Sequence, residues 1–400
     1  MSAMSTASAV RGQGAESADP SAERIADALA HAFALWRDLD YARRREAIAA
    51  IAQAAGYSVA MLDSSIDALL KPFTSDALRS LTARVSTAGR IDRPQTIGFI
   101  AAGNVAGAGV HEIATALIAG ARVQIKTASA EPVFFAEFAR TLAEIDREVG
   151  ARVEVVHWSR ARTDLTAAFI ANCKLVVAYG DDATLEALQR PNLIGFGSRV
   201  SGALIAPDGI DRSRIDGIVE SLARDVALFE QLGCLSLHHV FVVSHDAHAA
   251  RELAIRMSNA LERIGESMPP ARIPVRDAAE IRGVRERARW RAIAGEPVEL
   301  FEGRGLDWTV VFEPKADSFQ ISPGFRTVQV SGVRDLAEFR ACIGNVSGRI
   351  EAMAVVGADC EIEARAMEIP YVCAPGEMQS PPLDWRHGGG DFRDLMLGPR

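Results

Sequence analysis

Asn104 and Cys234 are the two residues whose types and surroundings suggest chemistry. Asn104 follows Gly103 at the end of an apolar run, TIGFIAAGN. Cys234 follows Gly233 between an amphipathic stretch and an apolar one, FEQLGCLSLHHVFVV. A thiol can attack an acyl or aldehyde carbon, and a side-chain amide can donate to the oxyanion formed there. An isolated cysteine is more often a small buried hydrophobe. What lifts Cys234 above that reading is its place between a glycine-terminated helix and a core strand. The carboxyl end of a helix is negative, so activation of the thiol falls to a base, a cofactor's positive ring or backbone donors. Asn104 lies in GNVAGAG. There an ordinary left-handed turn is the alternative, and the loop matches neither the GxGxxG fingerprint nor a Walker loop.

Other candidates carry two readings each. Lys126 ends the strand RVQIK; it either snorkels to solvent or holds the ribose or phosphate of a nucleotide. Gly180-Asp181-Asp182 links a strand to a helix, either as a cap or as a close approach for the nicotinamide half of a dinucleotide. His238 and His239 alternate on a strand, so at most one faces a site, and both read as structural. The arginines of IRGVRERARWR (Arg282, Arg285, Arg287, Arg289, Arg291) form either a solvated helix face or a contact for the phosphates of a coenzyme A type of substrate. His387 has no partner at a metal-ligating spacing.

The elements that must position these groups follow from periodicity. Residues 23–89 read as helical. From 96 onward strands (97–102, 122–126, 153–158, 175–179) alternate with helices (110–118, from 131, from 163, 181–188), which predicts a parallel, doubly wound sheet. Ligands of such sheets bind at the strands' carboxyl ends, where Asn104, Lys126, His157 and Gly180 fall. A second unit begins near 204. It has strands at 203–206, 239–243, 309–312 and 327–330. Its helices are 213–232 (closed by Gly233), 246–264, 276–294 and 335–343. The expected division is a disordered tail at 1–22, a nucleotide-binding domain at 23–205 that includes the N-terminal helices, a cysteine-bearing catalytic domain at 206–380 and a loop-like tail at 381–400.

Composition sets outer limits. The 400 residues carry 48% hydrophobic and 24% charged side chains and a net charge of −8. That charge argues against nucleic acid as a partner. No apolar run reaches the length of a membrane span, and the first 22 residues hold no apolar stretch like that of a signal peptide. The five cysteines show no CxxC spacing, which fits a reduced cytoplasmic protein without a zinc site.

Taken in order, AAGNVAG, VQIKTAS, VVAYGDD, IGFGSRVSGALIAPD and FEQLGCLSLHHVFV resemble the aldehyde dehydrogenase superfamily, and within it the bacterial acyl-CoA reductases of the LuxC type. The resemblance runs from about 96 to 245. It implies an α/β, aldehyde-dehydrogenase-like fold of two doubly wound domains with a cofactor and substrate cleft between them. It also implies Cys234 as the acyl-accepting thiol, with Asn104 and the Cys234 backbone N–H as oxyanion donors. Lys126 and Ser129 would stand at the cofactor ribose and Gly180 at the turn beside it. Hydrolytic members carry a glutamate base in a Glu-Leu-Gly-Gly-Lys stretch; here Gly195-Phe196-Gly197-Ser198-Arg199 stands there, with Gly195 at the base position. NAD-preferring members often carry an acid three residues after the strand-end lysine; here that residue is Ser129, which favours NADPH. NADH stays open because Glu131 is close by. The implied reaction is reduction of an acyl thioester, on coenzyme A or a carrier protein, to an aldehyde through a Cys234 thioester. Aldehyde oxidation, or another reduction on the same scaffold, is the alternative, and self-association is expected.

Overall fold

Ser21 opens the first helix by accepting from the Arg24 N–H at 3.2 Å, and Ile25, Leu29, Phe33 and Trp36 then recur on one buried face. The computed structural model describes residues 19–88, 95–188, 190–206 and 212–397. The tail expected at 1–22 lies outside these residues as far as 18; from Ser21 the chain is already capping a helix. Helices α1 (Ala22–Arg37), α2 (Ala42–Ala55), α3 (Val59–Leu70) and α4 (Ser75–Ala88) precede the first strand.

The first sheet holds β1 (Thr96–Ile100), β2 (Arg122–Thr127), β3 (Val153–His157), β4 (Leu175–Tyr179) and β5 (Leu193–Phe196) in the order β3-β2-β1-β4-β5. All its pairings are parallel. Between the strands run α5 (Val110–Ile118), α6 (Phe134–Ile145), the one-turn α7 (Arg147–Gly150), α8 (Thr163–Asn172) and α9 (Asp182–Leu188). Ile97 and Phe99 pack with α5 and α6, whereas Ile100, Val176 and Ala178 pack with Phe169 and Ile170 of α8. The sheet is therefore covered on both faces, as parallel sheets require. The chain reverses direction across the sheet between β1 and β4, which opens a crevice at their carboxyl ends. Trp36 donates to Thr141 Oγ1 on α6 at 3.0 Å and so ties the N-terminal helices to this unit.

The second sheet has β6 (Val200–Ile205), β7 (Leu237–Val243), β8 (Glu299–Glu302), β9 (Thr309–Glu313), β10 (Thr327–Val333), β11 (Ile350–Val356) and β12 (Tyr371–Cys373), ordered β12-β11-β6-β7-β10-β9-β8. Only the edge strand β8 runs antiparallel to its neighbour. Its helices are α10 (Arg212–Ala227), α11 (Ala247–Ser267), α12 (Val275–Ile293), α13 (Leu336–Cys342) and α14 (Ala358–Ala366), with α15 (Asp391–Leu397) closing the chain.

Three expectations need correction. The boundary placed at 205/206 moves to 197–199, because β6 pairs with β7 and β11 of the second sheet. The helix expected to run to Leu232 stops at Ala227. Phe229, Glu230 and Gln231 then take left-handed conformations, with φ of 51°, 51° and 63°. Each such residue costs about 1–2 kcal/mol, and buried polar contacts hold them. Glu230 Oε1 meets Arg326 Nη2 at 2.8 Å, and Phe229 N–H donates to Ser65 Oγ at 2.9 Å. Gln231 Nε2 donates to the Thr327 carbonyl at 2.8 Å and its Oε1 accepts from the Thr327 N–H at 2.8 Å. Cys234 therefore follows a left-handed turn, not a helix end. Finally, the tail from 381 is loop only in its first part; it ends in α15, which buries Phe392 and Met396.

Candidate active site

A cavity of about 540 Å³ opens where the two sheets meet, within the size range of small-molecule sites. Asn104 and Gly180 reach it from the carboxyl ends of β1 and β4, and Cys234 from the loop before β7. Lys126 and Ser129 do not line it. Lys126 is buried at the end of β2 and Ser129 is exposed beyond it.

Cys234 is half-buried. Its carbonyl accepts from Ser201 Oγ at 2.7 Å, which fixes the loop to the first strand of the second sheet. Asn104 Nδ2 donates to the Leu232 carbonyl at 2.6 Å, so the amide is tethered to the cysteine loop two residues before the thiol. An amide nitrogen carries two protons, and this bond uses one.

The partner of the thiol is a residue the sequence reading set aside. His387 Nε2 stands 3.9 Å from Cys234 Sγ, and His387 Nδ1 stands 2.9 Å from Glu112 Oε1. The imidazole lies between Phe196, stacked at 4.0 Å between centroids, and Trp385 at 4.3 Å. Burial by itself would lower the His387 pKa; the charge of Glu112 and the contact with Cys234 outweigh it and hold the group raised. Burial likewise opposes the charge on Glu112, and His387 reverses this, so the carboxyl sits well below its ordinary range. The pair is therefore an imidazolium held by a carboxylate. Cys234, His387 and Glu112 thus stand in the order thiol, imidazole and orienting carboxylate, a geometry that can activate a nucleophile.

Three elements converge to build this. Glu112 lies in the first turn of α5, where a carboxylate is favoured by the helix dipole. Gly109 precedes α5 with φ +93°, and a Cβ there would stand 2.8 Å from the Tyr179 ring; only glycine lets α5 start so close to β4. The peptide after His387 is clamped from both sides. Gly388 N–H donates to Glu351 Oε1 at 3.1 Å, the Gly388 carbonyl accepts from Arg199 Nη2 at 2.8 Å, and Arg199 pairs with Glu351 at 3.2 Å. The signal that could have found His387 was HGGG next to Trp385, a histidine on a loop free to fold back. Its partner lies 275 positions away, which no local pattern reports.

The remaining candidates resolve individually. His238 lines the cavity, and its Nδ1 accepts from the Ser322 N–H at 3.0 Å. His239 is fully buried against Phe241. Burial lowers the two to about 4 and about 3, so both are neutral. Asp181 caps α9 through the Thr184 N–H at 2.7 Å, and Asp182 accepts from the Ser198 N–H at 2.9 Å. Gly195 lies outside the cavity lining; a Cβ there would meet Leu185 at 2.9 Å. A base at 195 would therefore start toward α9. Its neighbour Phe196 is the residue that enters the cavity.

Solved structures similar to this one include aldehyde dehydrogenases. Among them is an NAD-dependent benzaldehyde dehydrogenase from Corynebacterium glutamicum (18% identity, TM-score 0.67, covering 93% of this chain and 82% of that one). A succinic semialdehyde dehydrogenase from Streptococcus pyogenes in complex with NADP+ is also similar (14% identity, TM-score 0.61, 88% and 86% covered). At these identities the likeness establishes the fold, that of the aldehyde dehydrogenases. The chain belongs to the acyl-CoA reductase (LuxC) family, whose model matches residues 17–392. It is also similar to long-chain acyl-protein thioester reductase 2 from Photobacterium leiognathi, 22% identical over 250 residues. That match spans 59% of this chain and about half, 48%, of the length of that curated relative. Among the described residues no helix is long and apolar enough to cross a membrane.

Proposed function

We propose that this protein reduces an acyl thioester, carried on coenzyme A or a carrier protein, to the aldehyde with NADPH through an acyl group held on Cys234. The observation that carries this reading is the Cys234–His387–Glu112 constellation inside the cavity of a LuxC-family chain. Cys234 Sγ attacks the thioester carbonyl. The bond from the carbonyl carbon to the carrier sulfur breaks, and the carrier leaves as a thiol with the proton held by the Cys234–His387 pair. The second amide proton of Asn104 and the Cys234 N–H serve the oxyanion. A nicotinamide dinucleotide, when bound, supplies hydride to the thioester carbon. Glu112 raises the proton affinity of His387, so once the carrier has left the imidazole regains one proton from solvent; as the acid it is poorly set to activate water, and the thioester waits for reduction. The thiohemiacetal on Cys234 then breaks its C–S bond and aldehyde leaves, with Cys234 and His387 as they began.

The chain's own residues fit a dinucleotide. The buried Lys126 ammonium has no ion-pair partner among the described residues, and burial followed by the charge of nearby Arg160 lowers its pKa. Arg160 donates to Thr184 Oγ1 at 3.4 Å and, like Lys126, forms no ion pair among the described residues; two such cations suit a phosphate. Glu131, the acid that could oppose a 2′-phosphate, is occupied: its Oε1 accepts from the Val133 and Phe134 N–H groups at 2.8 Å each, at the start of α6. This supports NADPH, with Lys126, Ser129 and Gly180 as the residues that would hold it. Five cysteines without CxxC spacing support a reduced, cytoplasmic protein, and the superfamily resemblance supports a homo-oligomer.

The test is intact-mass analysis after incubation with acyl-CoA of several chain lengths and no reductant. One acyl adduct should form, vanish in Cys234→Ala and be released as aldehyde on adding NADPH. An adduct that persists in Cys234→Ala refutes the mechanism.

A further inference from the structure

The sequence singled out five arginines on α12 without deciding their role. Three are committed. Arg285 is buried, donating to Thr309 Oγ1 at 2.9 Å and to the Gly305 and Trp308 carbonyls at 2.6 and 2.8 Å. Arg289 pairs with Glu302 at 2.6 Å, and Arg291 with Glu296 at 2.6 Å and Glu313 at 2.5 Å. Arg282 and Arg287 have no ion-pair partner among the described residues, and Arg287 lines a cavity. That cavity, of about 100 Å³, has apolar walls from Val284, Val311, Ile321 and Val328. It shares His238, Ser322 and Pro323 with the cavity that holds Cys234.

The shared wall carries a donor. Ser322 N–H donates to His238 Nδ1, which leaves the ring proton on Nε2. That N–H has no partner among the described residues, and the ring has a face on both cavities. Loop 320–324 is fixed around it, since Ser322 Oγ donates to Gln231 Oε1 at 3.2 Å and Gln320 N–H donates to His239 Nδ1 at 3.0 Å. Beyond the wall that carries this N–H donor, the second cavity presents an apolar patch and a guanidinium with no ion-pair partner among the described residues. The one carboxylate of the second cavity, Glu313, is neutralised by Arg291.

We infer that the second cavity is the carrier-arm subsite: it takes the phosphopantetheine arm of the thioester, with the arm's phosphate on Arg287 and its amide at His238 Nε2. The arm is a thiol joined through amides and a branched apolar carbon to a phosphate, and the two adjoining cavities hold a group suited to each part: the thiol of Cys234, the N–H of His238, the apolar walls and Arg287. The inference rests on the thioester reading above and adds how the carrier is recognised. The arm is common to coenzyme A and to carrier proteins, so the same subsite serves both.

The experiment compares four thioesters of one acyl chain: those of coenzyme A, 4′-phosphopantetheine, pantetheine and N-acetylcysteamine. Arg287→Ala should raise KM about tenfold, as loss of a charge-assisted phosphate contact does, for the first two only. Arg287→Lys should recover part of this, and Arg282→Ala should leave all four unchanged. His238→Phe should raise KM for all four, since each keeps the first amide. An effect of Arg287→Ala confined to the coenzyme A thioester overturns the arm assignment. So does an equal effect on all four thioesters, or none. If no thioester loads Cys234 in the unaltered enzyme, the thioester reading itself fails and the subsite with it; loading of all four with a neutral Arg287→Ala removes the subsite alone.

Discussion

Replacing Glu112 by Gln tests the central claim, that His387 is kept as an acid beside the thiol. The amide retains an oxygen for the His387 Nδ1–H at the 2.9 Å position and removes only the charge. A hydrogen bond to a charged group contributes about 1.5–3 kcal/mol, and one pH unit is worth about 1.36 kcal/mol. The His387 pKa in Glu112→Gln should therefore fall by about 1–2 units, since burial, the opposing influence, then acts without its counterweight. The assay is kcat/KM for acyl-CoA reduction, followed by NADPH consumption from about pH 6 to about pH 10. The alkaline limb, where the acid form is lost, should move down by the same amount, with little change at the acid end. Acid product should rise as neutral imidazole becomes available to activate water. Stability supplies an independent readout. The raised pKa of His387 gives stabilisation that is fully present below its ordinary value of 6.5 and is lost as pH rises through the folded value. The depressed Glu112 gives stabilisation that is present above 4.5 and is lost as pH falls through its folded value. Melting temperature in the unaltered protein should thus be highest between these limits and decline on the alkaline side. In Glu112→Gln that decline should flatten. An alkaline limb that stays in place or moves up would refute the reasoning.

Other expectations follow from the same geometry. Arg326→Met leaves Glu230 buried without its partner, which costs about 3–5 kcal/mol. The carboxyl is already raised by burial, so protonation should shrink the deficit as pH falls, readable in urea unfolding at two pH values. Gly195→Glu should destabilise by about 1–3 kcal/mol through crowding of Leu185 and yield no additional acid; a gain in acid product would show that position 195 does reach the thioester. Arg160→Ala should weaken binding of 2′,5′-ADP by about tenfold and leave 5′-AMP unchanged, measured by calorimetry. Asn104→Ala should lower kcat by about 10²–10³ while leaving the amount of dinucleotide bound at saturation unaltered.

Much of the scaffold was legible because its signals are local. Alternation of short apolar runs with helical stretches from 96 to 188 announced a parallel sheet, and the carboxyl-end rule placed Asn104 and Gly180 at the crevice that holds them. The strands at Leu193–Phe196, Glu299–Glu302, Ile350–Val356 and Tyr371–Cys373 went unread. Apolar runs this short do not separate strand from buried helix by period. The residues 229–231 were read as helix because their composition is helical. Their left-handed conformation is imposed from outside, by Arg326, Ser65 and Thr327.

The sequence by itself determined the family and the two-sheet architecture, because the type and spacing of neighbouring residues carry both, and it singled out Cys234 and Asn104 as candidates; the tether between the Asn104 amide and the cysteine loop came only with the fold. Only the tertiary structure decided what stands beside the thiol. His387 looked like a stray histidine in a glycine-rich tail. It becomes the partner of Cys234 because Glu112 from one unit and the Arg199–Glu351 pair grip its loop from two sides. Its charge, too, is set by this placement, since burial lowers the pKa of an imidazole and the carboxylate of Glu112 raises it. The sequence supplies the groups, while pKa and proximity depend on distances between elements hundreds of residues apart, and these exist only once the chain has folded.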